Sequence, residues 1–189
     1  MPCTEMNACP LGSDTVTPCA DGYYCPASTE YTTQFPCPAG TYHDVGATTN
    51  LKIDTECESC PAGKFCPSGI TTPIACPDGT YSDIPGAKSL DPDDSVYCKP
   101  CPAGKKCTVV TGTINPEACV AGTYSAEGDV GECKQCILGH HCSDGTNGTS
   151  ETTMLTDNVC DAGYLCPAGS GNPAFPDASY ACVAGHYCL

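Results

Sequence analysis

Six times the chain writes Cys-x-x-Gly-x-x-Cys: "CADGYYC" from Cys19, "CPAGKFC" from Cys60, "CPAGKKC" from Cys101, "CILGHHC" from Cys136, "CDAGYLC" from Cys160 and "CVAGHYC" from Cys182. Cysteines recurring in register with a glycine between them leave little freedom of fold. Twenty of the 189 residues are cysteine. That share marks a disulfide scaffold rather than an ordinary cytosolic domain. Disulfides persist in oxidising compartments, so the chain is expected to be extracellular or at a cell surface. Trp is absent, Met and Phe number three each, and Gly (20) and Pro (18) are abundant. No stretch supplies a large apolar core, so cross-links, each typically ~2–4 kcal/mol, must carry the stability.

Cys-x-x-Gly recurs through the chain, at Cys9, Cys19, Cys37, Cys60, Cys76, Cys101, Cys119, Cys136, Cys160 and Cys182. Three of these continue as Gly-Thr-Tyr with no second cysteine nearby: "CPAGTYHD" (Cys37), "CPDGTYSD" (Cys76) and "CVAGTYSA" (Cys119). Each is followed by a loop of thirteen to twenty-one residues, a Cys-x-x-Cys step and a short closure. The expected domains are an atypical N-terminal repeat (1–36), three cysteine-rich repeats (37–75, 76–118, 119–159) and an atypical C-terminal repeat (160–189). The glycine permits a turn directly after a cross-linked cysteine. Two residues on stands an aromatic at Tyr24, Tyr42, Phe65, Tyr81, Tyr124 and Tyr187, with Lys106, His141, Leu165 and Asp14 as exceptions. In so small a core a ring lying on a disulfide is the expected packing unit. Pro and Gly interrupt nearly every window, and no 3.6-residue periodicity is present. The predicted fold is therefore small and disulfide-rich, an elongated tandem array of cysteine-stapled modules with short β-ribbons and loops and less than ~10% helix.

The stretch "CPAGTYHDVGATTNLKIDTECESCPAGKFC", Cys37 to Cys66, resembles the ephrin-receptor-like cysteine-rich repeat found in large extracellular proteins, especially of protists. It is also similar to tumour necrosis factor receptor modules and, more distantly, to EGF-like modules. The resemblance covers Cys19 to Cys188 and implies disulfide-stapled extracellular architecture, with no catalytic residue to carry over. The Cys-x-x-Cys-rich variant surface proteins of parasitic protists are a looser match.

The cysteines group as five tetrads: Cys3, Cys9, Cys19, Cys25; Cys37, Cys57, Cys60, Cys66; Cys76, Cys98, Cys101, Cys107; Cys119, Cys133, Cys136, Cys142; and Cys160, Cys166, Cys182, Cys188. Four cysteines allow three pairings. First-to-third with second-to-fourth, the interlocked loops of the receptor-module kind, is expected first. First-to-second with third-to-fourth comes next. A register crossing tetrad boundaries, such as Cys57–Cys66 with Cys60–Cys76, also fits, and would let Cys3 of one copy bond Cys188 of another. Zinc sites need two Cys-x-x-Cys halves separated by a short loop, or one half with a His pair. Here Cys57/Cys60, Cys98/Cys101 and Cys133/Cys136 lie about forty residues apart, each with a third cysteine six positions on. His140 and His141 beside Cys142 are the one Cys/His grouping, and adjacent side chains point apart in an extended chain. A redox Cys-x-x-Cys needs a lowered thiol pKa, usually at a helix N-terminus, and no helix is expected. The structural disulfide framework stands as the reading.

Lys and Arg total 7 against 22 Asp and Glu, a net charge of −15. Such a polyanion is repelled by nucleic acid and anionic membranes, so neither is expected as a partner. No run of 18 apolar residues is available to span a membrane. "MPCTEMNACP" lacks the basic start and apolar stretch of a signal peptide, so a mature piece or a segment of a longer precursor is expected. Asn147-Gly-Thr149 is an N-glycosylation sequon, and the Thr/Ser clusters 28–33, 71–73 and 148–153 are compositional candidates for O-glycans. Asp91–Asp94 reads as a solvated acidic loop without the calcium-loop pattern. His43 and His186 read as surface residues. No nucleophile motif, phosphate loop, metal set or cofactor site is found, so neither enzymatic activity nor a cofactor is expected.

The expectation is a structural extracellular protein, a glycosylated segment or subunit of a fibre or cell-surface coat. Its partners would be copies of itself or neighbouring repeats, head to tail, because neither end carries the atypical polar cap of a repeat stack. A receptor-like or adhesive binding module is the alternative. Exposed aromatics concentrated in one or two loops would favour it, whereas Tyr31, Phe35, Tyr97, Phe175 and Tyr180 are scattered.

Overall fold

The structure, a computed structural model, describes residues 3–44, 46, 50–108, 112–142, 158–171 and 181. It divides into two compact units. One holds Met1–Pro77, Tyr81–Lys99 and Val109–Ile114; the other holds Asp78–Thr80, Pro100–Thr108 and Asn115–Leu189. Among the described residues the only helical segment is the 3-10 turn Asp54–Glu56. The rest is turns, loops and seven two-stranded ribbons whose strands are two residues long. The chain is thus a small disulfide-rich protein of tandem ribbons, as its Gly and Pro density predicts.

Each ribbon follows from the Cys-x-x-Gly word. The residue after glycine donates its N–H to the carbonyl of the residue after cysteine, as Thr41 does to Pro38 (3.0 Å) and Lys64 to Pro61 (3.2 Å). This is a β-turn with glycine third, the position where a type II turn requires positive φ. At Gly40 φ is 90°. The turn aims the next two residues back along the two residues that precede the following cysteine. Thr41–Tyr42 accordingly pairs with Glu58–Ser59, Lys64–Phe65 with Ile74–Ala75, and Thr123–Tyr124 with Lys134–Gln135.

Successive repeats are joined by one recurring bond, from the N–H of each repeat's first cysteine to the glycine carbonyl of the repeat before. In the first unit these bonds are Cys37 to Gly22, Cys60 to Gly40 and Cys76 to Gly63; in the second they are Cys101 to Gly79, Cys119 to Gly104, Cys136 to Gly122 and Cys160 to Gly139. All seven measure 2.7–3.1 Å. A second turn adds another contact. Gly69 donates its N–H to Cys37 O, and Gly169 to Cys136 O, at 2.9 Å each. The carbonyls of this second turn then lie against the first-turn glycine two repeats earlier. A Cβ on Gly40 would stand 2.7 Å from Gly86 O, and one on Gly22 would overlap Gly69 O. These glycines are needed both for their φ and for the missing side chain.

That lattice corrects the start of the repeat count. Cys9 does not open a repeat; it closes one, through the disulfide Cys3–Cys9. Met6 occupies the glycine position there, with φ of 70°, and its carbonyl receives the N–H of Cys19 at 3.3 Å. Gly12 belongs instead to a loop turn closed by Ser13 N–H to Pro10 O (2.9 Å).

The pairing expectation is also corrected. The disulfides are Cys3–Cys9, Cys19–Cys25, Cys37–Cys57, Cys60–Cys66, Cys76–Cys98, Cys101–Cys107, Cys119–Cys133, Cys136–Cys142 and Cys160–Cys166. This is first-to-second with third-to-fourth, neither interlocked nor boundary-crossing. Cys182 and Cys188 lie outside the described residues. The register gives the reason. With Thr41 opposite Ser59 and Tyr42 opposite Glu58, the next level holds His43 and Cys57. In a short closure, the sulfur that meets the first cysteine comes from this level of the first strand, three residues after glycine. In a long closure it comes from the facing residue of the second strand.

One cleavage reads this out. Lys134 is half exposed and lies between Cys133 and Cys136. It is the last lysine of a chain without arginine. Trypsin acting on the unreduced protein is expected to release residues 135–189 as a separate fragment under denaturing conditions, since no described disulfide crosses the cut. Interlocked pairing would hold the pieces together until reductant is added.

Candidate functional site

The sulfur level of the repeats is the most uniformly buried feature of the molecule. Cys25, Cys66, Cys107, Cys142 and Cys166 stand three residues after glycine and are fully buried. The long-closure repeats put His43, Ser82 and Ser125 there, and these are buried too. His43 is only 5% exposed, which corrects its reading as a surface residue. It fills the inward position that a cysteine takes elsewhere. Ser82 Oγ donates to Ile84 O (2.9 Å) and Ser125 Oγ to Lys105 O (2.8 Å), so these small polar groups are satisfied. Ser125 Oγ also lies 3.6 Å from Cys119 Sγ.

That proximity permits an exchange of closure type. Cys133→Ser alone is expected to lower stability by about 3 kcal/mol, the loss of a mid-sized loop. Adding Ser125→Cys should restore most of it, because the introduced thiol can bond Cys119 and turn a long closure into a short one. Urea unfolding of the single and double variants measures both values.

Rings do lie on disulfides. Tyr124 clusters with Cys136 and Cys142, and Tyr24 packs on Cys37, Leu51 and Cys57 while stacking on Phe35 at 5.6 Å. The sulfurs of Cys57, Cys60, Cys98, Cys101, Cys133 and Cys136 are all in S–S bonds. None is a thiolate that could ligate zinc or attack a disulfide. No grouping of three or more His, Cys, Asp or Glu that could hold a metal occurs among the described residues. His141 keeps a buried Nδ1 without a hydrogen-bond partner, and its backbone N–H donates to Asn158 O at 2.9 Å. His140 Nδ1 lies 3.4 Å from Leu138 O.

The acidic loop is closed on itself. Ser89 Oγ donates to an Asp94 carboxylate oxygen, Asp91 N–H to Ser89 Oγ (2.9 Å) and Asp93 N–H to Asp91 Oδ1 (3.0 Å). Basic residues sit among carboxylates. Lys99 meets Asp83 at 2.9 Å, Lys134 meets Asp129 at 3.1 Å, and Lys106 meets Glu132 at 2.9 Å and Glu117 at 3.5 Å. The hydrogen bond from Lys99 holds the Asp83 carboxyl below the usual range. A depressed carboxyl contributes stability above the unfolded pKa and loses it as pH falls through the folded one; at this exposed site the contribution is small. Lys106 lines a cavity of about 90 Å³ with Ala118, Val120 and Thr123, too small for an organic ligand.

Tyr42 Oη donates to Glu58 Oε2 at 2.8 Å. That bond, with smaller effects of burial and of the Glu58 and Asp44 charges, raises the phenol pKa above its ordinary value. In an ultraviolet titration Tyr42 should ionise late, and Glu58→Ala should return it toward the ordinary range. An unchanged titration would refute the assignment.

Asn147, His186 and residues 148–153 lie outside the described residues. No helix among the described residues is long and apolar enough to cross a membrane. The fold and its sulfur chemistry define a small disulfide-rich protein suited to an oxidising compartment. No family model matches the chain, and no curated protein matches it either.

Proposed function

We propose that this chain is a structural extracellular protein, a disulfide-held segment or subunit of a fibre or cell-surface coat. The observation that supports this most is the constancy of the joint between repeats. One N–H to C=O bond, from cysteine to the preceding repeat's glycine, recurs at seven of the eight steps within 2.7–3.1 Å, and at the remaining one Cys19 N–H meets Met6 O at 3.3 Å. A joint that uses only backbone groups and a cystine tolerates varied loops and can be extended by any further repeat, of the same chain or of another copy. Stability is then nearly a sum over repeats. The resemblance of Cys37–Cys66 to ephrin-receptor-like repeats fits this reading. Exposed aliphatics such as Val120, Val130 and Leu138 offer surface for association between copies. Asn147 would carry an N-glycan on the outside, with Thr/Ser clusters as O-glycan carriers.

Electron micrographs and light scattering of unreduced native material test the reading. Filaments or an extended coat are expected, with a glycan on Asn147 in peptide maps. A discrete monomer of about 19 kDa of protein that does not associate would overturn it and favour a receptor-like or adhesive binding module.

A further inference from the structure

The residue two positions after a turn glycine faces the disulfide of the next repeat. Tyr24 packs on Cys37–Cys57 and Tyr124 on Cys136–Cys142, while Ala8, two positions after Met6, packs with Cys19 and Cys25. Before Cys119–Cys133 that position is held by Lys106. Its ammonium is drawn to the exposed carboxylates of Glu132 at 2.9 Å and Glu117 at 3.5 Å. A lysine stem leaves open what a ring would fill. The cavity of about 90 Å³ lies there, walled by both cysteines with Lys106, Glu117, Glu132 and Thr123. It holds no whole organic ligand, but a polar cavity of that volume admits water and a single sulfur. The two sulfurs are not equally reached. Cys133 is half-buried, whereas Cys119 is 3% exposed. In six of the other described disulfides both cysteines are buried.

We propose that Cys119–Cys133 is a thiol–disulfide exchange site for small cationic aminothiols, with Lys106 as the positioning residue whose stem leaves the bond open. The incoming thiolate adds to Cys133 Sγ along the S–S axis. The bond breaks and its electron pair leaves on Cys119, which takes a proton from water. The products are a mixed disulfide on Cys133 and a free thiol on Cys119, with no oxidant consumed. The leaving sulfur lies 3.6 Å from Ser125 Oγ, whose hydroxyl can turn from Lys105 O to donate to the departing thiolate. Exchange rates depend on which sulfur is attacked and on access. Glu117 and Glu132 at the cavity wall outnumber Lys106, so they favour a cationic thiol over an anionic one. The site lies within the second unit. Its opening frees the loop 120–132 without touching the backbone bonds from Cys119 N–H to Gly104 O and from Cys136 N–H to Gly122 O.

The test uses the native, unreduced protein with cysteamine or 2-mercaptoethanesulfonate at matched thiolate concentration. A maleimide quenches the reaction and caps the freed thiol, and peptides are mapped over time. At early times Cys119–Cys133 is expected to open about tenfold faster than any of the six pairs with both cysteines buried, with the aminothiol on Cys133 and the maleimide on Cys119. Lys106→Tyr installs the ring that stands at Tyr24 and Tyr124, and should slow that opening about fivefold while leaving the six pairs unchanged. Cysteamine should react several-fold faster than the sulfonate, and Glu117→Gln together with Glu132→Gln should remove most of that preference. The proposal is overturned if any of the six pairs opens as fast, or if the aminothiol is found first on Cys119. It is equally overturned if Lys106→Tyr leaves the rate unchanged or slows every pair alike, or if the double Gln variant keeps the full preference.

Discussion

Gly22→Ala should destabilise the unreduced protein by about 4 kcal/mol, and Gly12→Ala by only about 1 kcal/mol. The two glycines have nearly the same backbone, φ of 82° and 80°, so the cost of a left-handed L-residue is common to both. They differ in what a methyl would meet. At Gly12 nothing lies within 4 Å. At Gly22 the new Cβ would overlap the carbonyl oxygen of Gly69 and come within 3.3 Å of the Thr71 methyl. Gly69 cannot retreat freely, because its N–H is bonded to Cys37 O at 2.9 Å and its turn is closed by Ile70 N–H to Pro67 O. The strain therefore spreads over three repeats rather than relaxing at one side chain. Urea unfolding of both variants with disulfides intact measures the difference. Equal losses would mean that the glycines serve the turn alone and that the contact two repeats away carries no energy.

The turn is what the sequence discloses best. Cys-x-x-Gly-Thr-Tyr specifies a glycine-bearing turn, and a two-stranded ribbon follows it at Thr41–Tyr42, with a partner, Glu58–Ser59, that only the structure supplies. Disulfide connectivity was not legible, because Cys57 and Cys60 are equally near any partner along the chain. Only the ribbon register brings Cys57, and not Cys60, to the sulfur level of Cys37. The burial of His43 was hidden for the same reason. It resembles a variable surface position until the cysteines three residues after glycine in other repeats are seen to point inward. The spacing from Cys3 to Cys9 reads as a short closure without its glycine, and the disulfide Cys3–Cys9 closes there with Met6, 39% exposed, in the glycine's place.

Complete reduction should abolish the fold under otherwise native conditions. Eighteen apolar residues are buried among those described, and fourteen are cysteines; the others are Ala8, Leu51, Ala87 and Tyr124. Reduction therefore does more than free the loops. It turns the interior itself into separate thiols whose positions nothing else fixes. Each closure contributes about 2–3 kcal/mol by restricting the unfolded chain. A typical net stability is about 5–15 kcal/mol, so losing only a few closures consumes it. The surviving order would consist of two-residue ribbons, and an isolated hairpin is at best marginal in water. A phosphine reductant at neutral pH should thus bring loss of protease resistance, collapse of amide proton protection and narrow, random-coil chemical shifts. Persistent amide protection at Cys60, Cys76 and Cys119 after full reduction would show that the backbone lattice, rather than the cystine interior, holds the repeats together.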